Sequence, residues 1–182
     1  MSPQIAVFGA STTPSDHPDY VAGVRCGALL ADAGYAVATG GYGGLMEAVS
    51  RGAASAGGHV VGITAPAIFP SRPGANEFVT EERAAFTLTE RIHDLLQSSD
   101  GAIALQGSIG TLTEMLVAWN AAFIDALDDG PARPVVVVGD TWRDFVGMIG
   151  ERLHTDASLV ACVPDIAAAV AEITRRVPIR SR

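Results

Sequence analysis

The chain has 182 residues, 48% of them hydrophobic, and a formal net charge of -8 at pH 7. That length supports one well-cored domain, and the hydrophobicity, with mean hydropathy +0.29, excludes a disordered chain. The acidic balance argues against a nucleic-acid partner, which asks for a basic face, and no apolar run is long enough to span a membrane.

The pattern along the chain is strand, glycine loop, helix, repeated. Gln4–Phe8 is a short apolar run ending at Gly9. Residues 18–33 read as a helix, with Val21, Val24, Ala28 and Leu29 at helical spacing and Gly34 as its stop. A second strand, 35–39, leads into GGYGG (40–44). A helix over 45–56 closes at Gly57-Gly58, and 59–63 is a third strand. Residues 64–78 hold three prolines and no periodicity, so they predict a loop. At that length it has the character of a flap over a site. Thr87-Leu88-Thr89-Glu90 has capping-box spacing and opens a helix to about Ser98. A fourth strand, 101–105, is followed by a helix over 111–126 and a turn at 128–131. A fifth strand (134–138), a helix (141–153), a sixth strand (159–163) and a helix (165–176) complete the pattern, with 174–182 expected to fray.

Such alternation predicts an α/β fold: one doubly wound, Rossmann-like parallel sheet with helices on both faces. Continuously apolar strands agree with burial on both sides. The whole of 1–182 reads as a single domain. In this architecture the ligand crevice lies at the carboxyl ends of the strands. Three small-residue loops fall there: FGAST (8–12), GGYGG (40–44) and QGSIGT (106–111).

Elimination narrows the ligand. All twelve basic residues are arginine, with no lysine, so a pyridoxal-phosphate Schiff base and a Walker A loop are excluded in their usual form. The first loop, Gly9-Ala10-Ser11-Thr12-Thr13-Pro14, lacks G-x-G-x-x-G, and Thr39-Gly40-Gly41 offers no acid for a ribose. A dinucleotide is therefore disfavoured. His17, His59, His93 and His154 are scattered, so no metal site is expected, and no other cofactor. Cys26 and Cys162 read as small core residues. What remains is anion binding by bare backbone at helix N-termini, which suits a single phosphate ester. The start, MSPQIAVFGAS, carries no basic leader, so a cytoplasmic protein is expected.

Three segments together resemble the LONELY GUY (LOG) family, whose members hydrolyse nucleoside 5′-monophosphates to free base and ribose 5-phosphate. They are Gly40-Gly41-Tyr42-Gly43-Gly44-Leu45-Met46, then Arg91, then Gln106-Gly107-Ser108-Ile109-Gly110-Thr111-Leu112-Thr113-Glu114. The resemblance covers roughly residues 4–125. It implies a catalytic pair at Arg91 and Glu114. It also implies a phosphate- or nucleotide-binding set of Gly107, Ser108, Ile109, Gly110 and Thr111, with Gly43 and Gly44 in a second glycine loop; Gly9 and Ser11 of the first loop face the same edge. The substrate implied is AMP or N6-substituted AMP. The wider family includes carriers of molybdenum cofactor that bind a phosphorylated pterin without hydrolysing it, which is the alternative function. Gln106, Ser108 and Ile92 stand where the family pattern has proline, glycine and lysine.

Two residues carry competing readings. Thr111-x-x-Glu114 has capping-box spacing, so Glu114 either closes a helix or acts on a sugar. Arg91 either borders the apolar stripe Leu88, Ile92, Leu95 and Leu96 with its stem, or holds a phosphate or sugar hydroxyls as a forked donor. Glu114 is the only charged residue from Thr111 to Ile124. With a core stripe of Leu112, Met115, Leu116, Trp119 and Phe123, it falls on the far side beside Val117, Ala121 and Ile124. A helix apolar all round is covered on both sides, which predicts a homodimer through 111–126.

Overall fold

The computed structural model describes residues 2–72, 74–127 and 131–179. Its elements run β1 (Gln4–Phe8), α1 (Pro18–Asp32), β2 (Ala36–Thr39), α2 (Leu45–Ser55), β3 (Val60–Thr64), β4 (Glu81–Ala84) and α3 (Leu88–Gln97). They continue with β5 (Gly101–Ala104), α4 (Ile109–Leu127), β6 (Val135–Val138), α5 (Asp140–Leu153), β7 (Val160–Val163) and α6 (Ile166–Arg176). The seven strands form one sheet in the order β4-β3-β2-β1-β5-β6-β7, and every pairing is parallel.

Strand side chains alternate between two cores. Ile5, Val7, Val37, Ile103 and Val136 pack beneath α1, α2 and α6. Ala6, Phe8, Ala38, Ile63, Ala104 and Val137 pack beneath α3, α4 and α5. Because both faces are covered, β1, β2, β3 and β5 are buried throughout, which is why no polar alternation was visible. The chain winds outward from β1 to β4, then returns through α3 to β5 on the other side of β1. The winding reverses between β1 and β5, and a crevice is expected there.

Four expectations need correction. Glu81–Ala84 is a seventh strand that the apolar pattern did not reveal. Three of its four residues are exposed and it sits at the sheet edge, where charge is common and protective; backbone pairing with Val61–Thr64 defines it. In α1 the buried face is Tyr20, Gly23, Cys26, Gly27 and Leu30, whereas Val21 is exposed. Glycine, not valine, marks the contact: a Cβ on Gly27 would lie 2.0 Å from the Val49 carbonyl oxygen of α2, and one on Gly52 would lie 1.9 Å from that of Val24. The helix after β5 begins at Ile109, not Thr111. Residues 174–177 do not fray as expected, since α6 runs to Arg176 and the buried Val177 carbonyl accepts from the Tyr35 hydroxyl at 2.5 Å. Of the 128–131 turn, residues 128–130 lie outside the described residues, as do 180–182 of the tail.

A candidate ligand site at the switch point

The loop after β1 is the centre of the site. Ala10 N–H donates to the Gln106 carbonyl (3.0 Å), while the Ala10 carbonyl accepts from Leu45 N–H (2.8 Å). The three glycine loops are thereby tied into one edge. Gly44 caps α2 at φ +67, and a Cβ there would lie 2.4 Å from the Ala10 carbonyl oxygen; a left-handed backbone at such close approach suits glycine alone. Gly9 leaves room for Leu45, and Gly107 leaves room for the Thr111 side chain. By contrast, a Cβ on Gly110 would meet nothing within 4 Å, and one on Gly43 nothing nearer than 3.8 Å. Gly110 thus presents bare backbone to open space, and Gly43 tolerates a Cβ without a clash.

Ser108 precedes α4, and its carbonyl accepts from Leu112 N–H (3.0 Å). Its φ is not positive, so the serine is accommodated without backbone strain. The N–H groups of Ile109, Gly110 and Thr111 occupy the first turn, where no intrahelical acceptor exists. The helix dipole adds partial positive charge there. Gly107 to Gly110 are exposed, and the Ile109 side chain points outward at 75% exposure. Thr111 lies inside the helix, 3% exposed, and does not cap it.

Arg91 and Glu114 do come together. Glu114 lies with Thr111, Met115 and Ala118 on the buried side of α4, not on the outer face with Val117 and Ile124. Its Oε1 accepts from Arg91 Nη1 at 3.3 Å, so it joins α3 to α4 rather than forming a capping box. That bond is its only one among the described residues. Since no fully buried side-chain oxygen there lacks a partner, the second oxygen of Glu114 is not fully buried. Burial pushes the Glu114 carboxyl up to about 7, with the Arg91 charge pulling the other way. Burial likewise lowers Arg91, opposed by the Glu114 charge. A carboxyl that titrates near neutrality is suited to proton transfer.

Arg91 is anchored by the protein itself. Nε donates to the Ile63 carbonyl (2.8 Å) and Nη2 to the Gly40 carbonyl (3.1 Å). A Cβ on Gly40 would stand 1.7 Å from Nη2, so glycine at the end of β2 is what admits the guanidinium. Arg91 is itself buried on the packed face of α3 with Ile92, Leu95 and Leu96, whereas Leu88 of the expected stripe is exposed. The Arg91 fork holds Glu114 and two strand ends in register.

The 64–78 segment folds over the second glycine loop. Ala65 N–H donates to the Tyr42 hydroxyl (2.7 Å). Asn76 donates from its backbone to the Gly41 carbonyl (2.7 Å) and from its side chain to the Gly41 and Tyr42 carbonyls. Arg72 lies 4.5 Å from the centroids of both Tyr42 and Phe69 and donates to Ser11 Oγ at 3.4 Å. Sequence reading singled out none of Tyr42, Arg72 and Asn76; the available signal was that Arg72 is the sole basic residue of 64–78. A cavity of about 450 Å³ opens on the other side of Gln106, lined by Val21, Arg25, Leu105, Val138 and Asp165, but by neither Arg91 nor Glu114. The Arg91–Glu114 pair therefore lies apart from this cavity. Among the described residues there is no metal-binding cluster of His, Cys, Asp or Glu, and no helix is long and apolar enough to cross a membrane.

A doubly wound sheet with glycine loops at the carboxyl ends of its strands and a buried arginine–glutamate pair joining α3 to α4 defines a Rossmann-like protein. The chain belongs to the LOG family: the model described as the SLOG cluster4 family matches residues 2–124. It is 31% identical over 177 residues to a probable cytokinin riboside 5′-monophosphate phosphoribohydrolase of Oryza sativa subsp. japonica, covering 81% of this chain and 72% of that protein. It is 32% identical over 146 residues to a cytokinin riboside 5′-monophosphate phosphoribohydrolase of Mycobacterium tuberculosis, covering 79% and 74%. Among solved structures, the molybdenum cofactor carrier protein of Chlamydomonas reinhardtii superposes with a TM-score of 0.75 at 24% identity, covering 97% of this chain and 99% of that one. That likeness establishes the fold.

Proposed function

We propose that the chain hydrolyses the N-glycosidic bond of a nucleoside 5′-monophosphate, AMP or an N6-substituted AMP, giving free base and ribose 5-phosphate. The observation that carries this reading is the buried Arg91–Glu114 pair at 3.3 Å, with the Glu114 carboxyl raised to about 7, beside open glycine backbone. The phosphate rests on the N–H groups of Ile109, Gly110 and Thr111. As the bond to the base breaks, positive charge grows on the ribose, and the Glu114 carboxylate stabilises it. Water adds to C1′, its proton passes to Glu114, and the base leaves with a proton from solvent. Arg91 is a positioning residue: its three hydrogen bonds fix where Glu114 stands. The relatives named as phosphoribohydrolases support the same chemistry.

A second reading is a carrier of a phosphorylated small molecule. Gln106 and Ser108, which depart from the family loop, favour it, as does the likeness to the cofactor carrier. Incubation with AMP and N6-substituted AMP, with the free base quantified, separates the two. Base release that disappears in Glu114→Ala supports hydrolysis; AMP binding without release supports the carrier.

We further propose a homodimer through α4. Its motive differs from the sequence argument, since Glu114 faces inward. The outer face exposes Leu116, Val117, Phe123, Ile124 and Leu127, an apolar strip of the kind that protein interfaces cover.

A further inference from the structure

Arg91 spends its fork on the Ile63 and Gly40 carbonyls and on Glu114, and it is 6% exposed. The chain contains no lysine. A phosphate in the crevice therefore takes its side-chain cation from another arginine. Arg25 lines the separate cavity beyond Gln106 together with Asp19 and Asp165, and Arg143 is paired with Asp140. Arg72 remains. Among the described residues its guanidinium forms no ion pair, and its single side-chain hydrogen bond is to the neutral Ser11 hydroxyl.

Its position is built rather than incidental. Tyr42 and Phe69 stand nearly perpendicular, at 79°, and the guanidinium lies in the corner between them. Such stacking orients a guanidinium while leaving N–H groups to donate. Asn76 and Ala65 strap the flap to residues 41 and 42, so Arg72 is delivered to Ser11, in the first glycine loop. Ser11 lies against Gly43 and Gly44. The Glu47 carboxylate accepts from the Tyr20 hydroxyl and borders Gly43 as Ser11 does, so a cation is needed for an anion to rest there.

We propose that Arg72 is the ligand's phosphate-binding cation, delivered by the 64–78 flap to the Ser11 side of the crevice. This rests on the reading that the crevice takes a phosphate ester.

Calorimetric titration of the full chain with AMP, ribose 5-phosphate and adenosine tests the proposal, with Arg72→Gln and Arg72→Lys in parallel. Arg72→Gln keeps a donor for Ser11 but removes the charge. It is expected to weaken AMP and ribose 5-phosphate by roughly ten- to a hundred-fold and to leave adenosine unchanged, while Arg72→Lys recovers part of the loss. A thermal melt shows whether each variant is folded. Unchanged phosphate-ester binding in folded Arg72→Gln overturns the proposal and leaves the hydrolase reading intact. Equal losses for AMP and adenosine also overturn it, since Arg72 then holds the base or the flap. If the wild-type chain binds neither phosphate ester, the underlying functional reading fails, and the role of Arg72 with it.

Discussion

Arg91 Nη1 lies 3.3 Å from Glu114 Oε1, and both side chains are almost wholly buried, one from α3 and the other from α4. A buried pair of this kind is weak evidence for stability, but breaking it from one side is costly. Arg91→Ala strands Glu114 and removes the donors to the Ile63 and Gly40 carbonyls. The expected loss is roughly 3–5 kcal/mol, measured by urea unfolding. Arg91→Lys cannot reproduce the three-way fork and should recover only part of it. A loss of under about 1 kcal/mol in Arg91→Ala contradicts the pair's burial.

Glu114 also sets a pH dependence. Its folded-state pKa is about 7, raised from 4.5. Between those values the folded chain binds more protons than the unfolded one, so stability from this group falls as pH rises from about 4.5 to about 7. Removing the charge with Glu114→Gln should flatten that slope, by on the order of 1–3 kcal/mol between pH 5 and 8. Chemical denaturation of both proteins across that range measures it. A wild-type slope equal to that of Glu114→Gln means the carboxyl titrates in its ordinary range.

Gly40→Ala places a Cβ where Arg91 Nη2 now lies. The guanidinium must move, and Glu114 loses its partner. We expect roughly 1–3 kcal/mol of destabilisation together with loss of any base release. Gly110→Ala is the control for space, since its Cβ meets nothing. It should leave stability within about 0.5 kcal/mol yet weaken phosphate-ester binding. If Gly110→Ala binds AMP as the wild type does, the phosphate does not rest on that backbone.

The outer face of α4 predicts a dimer by light scattering at micromolar concentration. Ile124 is 51% exposed, so Ile124→Asp should cost the monomer fold little and dissociate the dimer. A monomeric wild-type chain contradicts the interface.

The fold was legible because its central strands are apolar on both faces and glycines follow β1, α1, β2, α2, β5 and β6. The edge strand β4 was not, because Glu81, Glu82 and Arg83 carry no burial pattern and are recruited by pairing with β3 and by side-chain bonds from Thr64 and His59. Arg91 and Glu114 were found as residues, but their geometry was hidden. In a helix as apolar as α4 the buried side cannot be read from periodicity, and the stripe drawn through Leu116 and Phe123 was rotated from the one that packs, Met115, Ala118, Trp119 and Ala122. Tyr42, Arg72 and Asn76 were illegible for another reason. Their roles come from contacts between residues far apart in the chain, such as Asn76 with Gly41 and Arg72 with Ser11, which no local pattern records.

The most direct test measures two things on one preparation of Glu114→Gln: calorimetric binding of AMP and chromatographic release of adenine. The account predicts AMP binding within a few-fold of wild type and release reduced by roughly a hundred-fold or more. Release at the wild-type rate contradicts the role of Glu114, and a wild-type chain that binds AMP without releasing adenine contradicts hydrolysis of AMP itself.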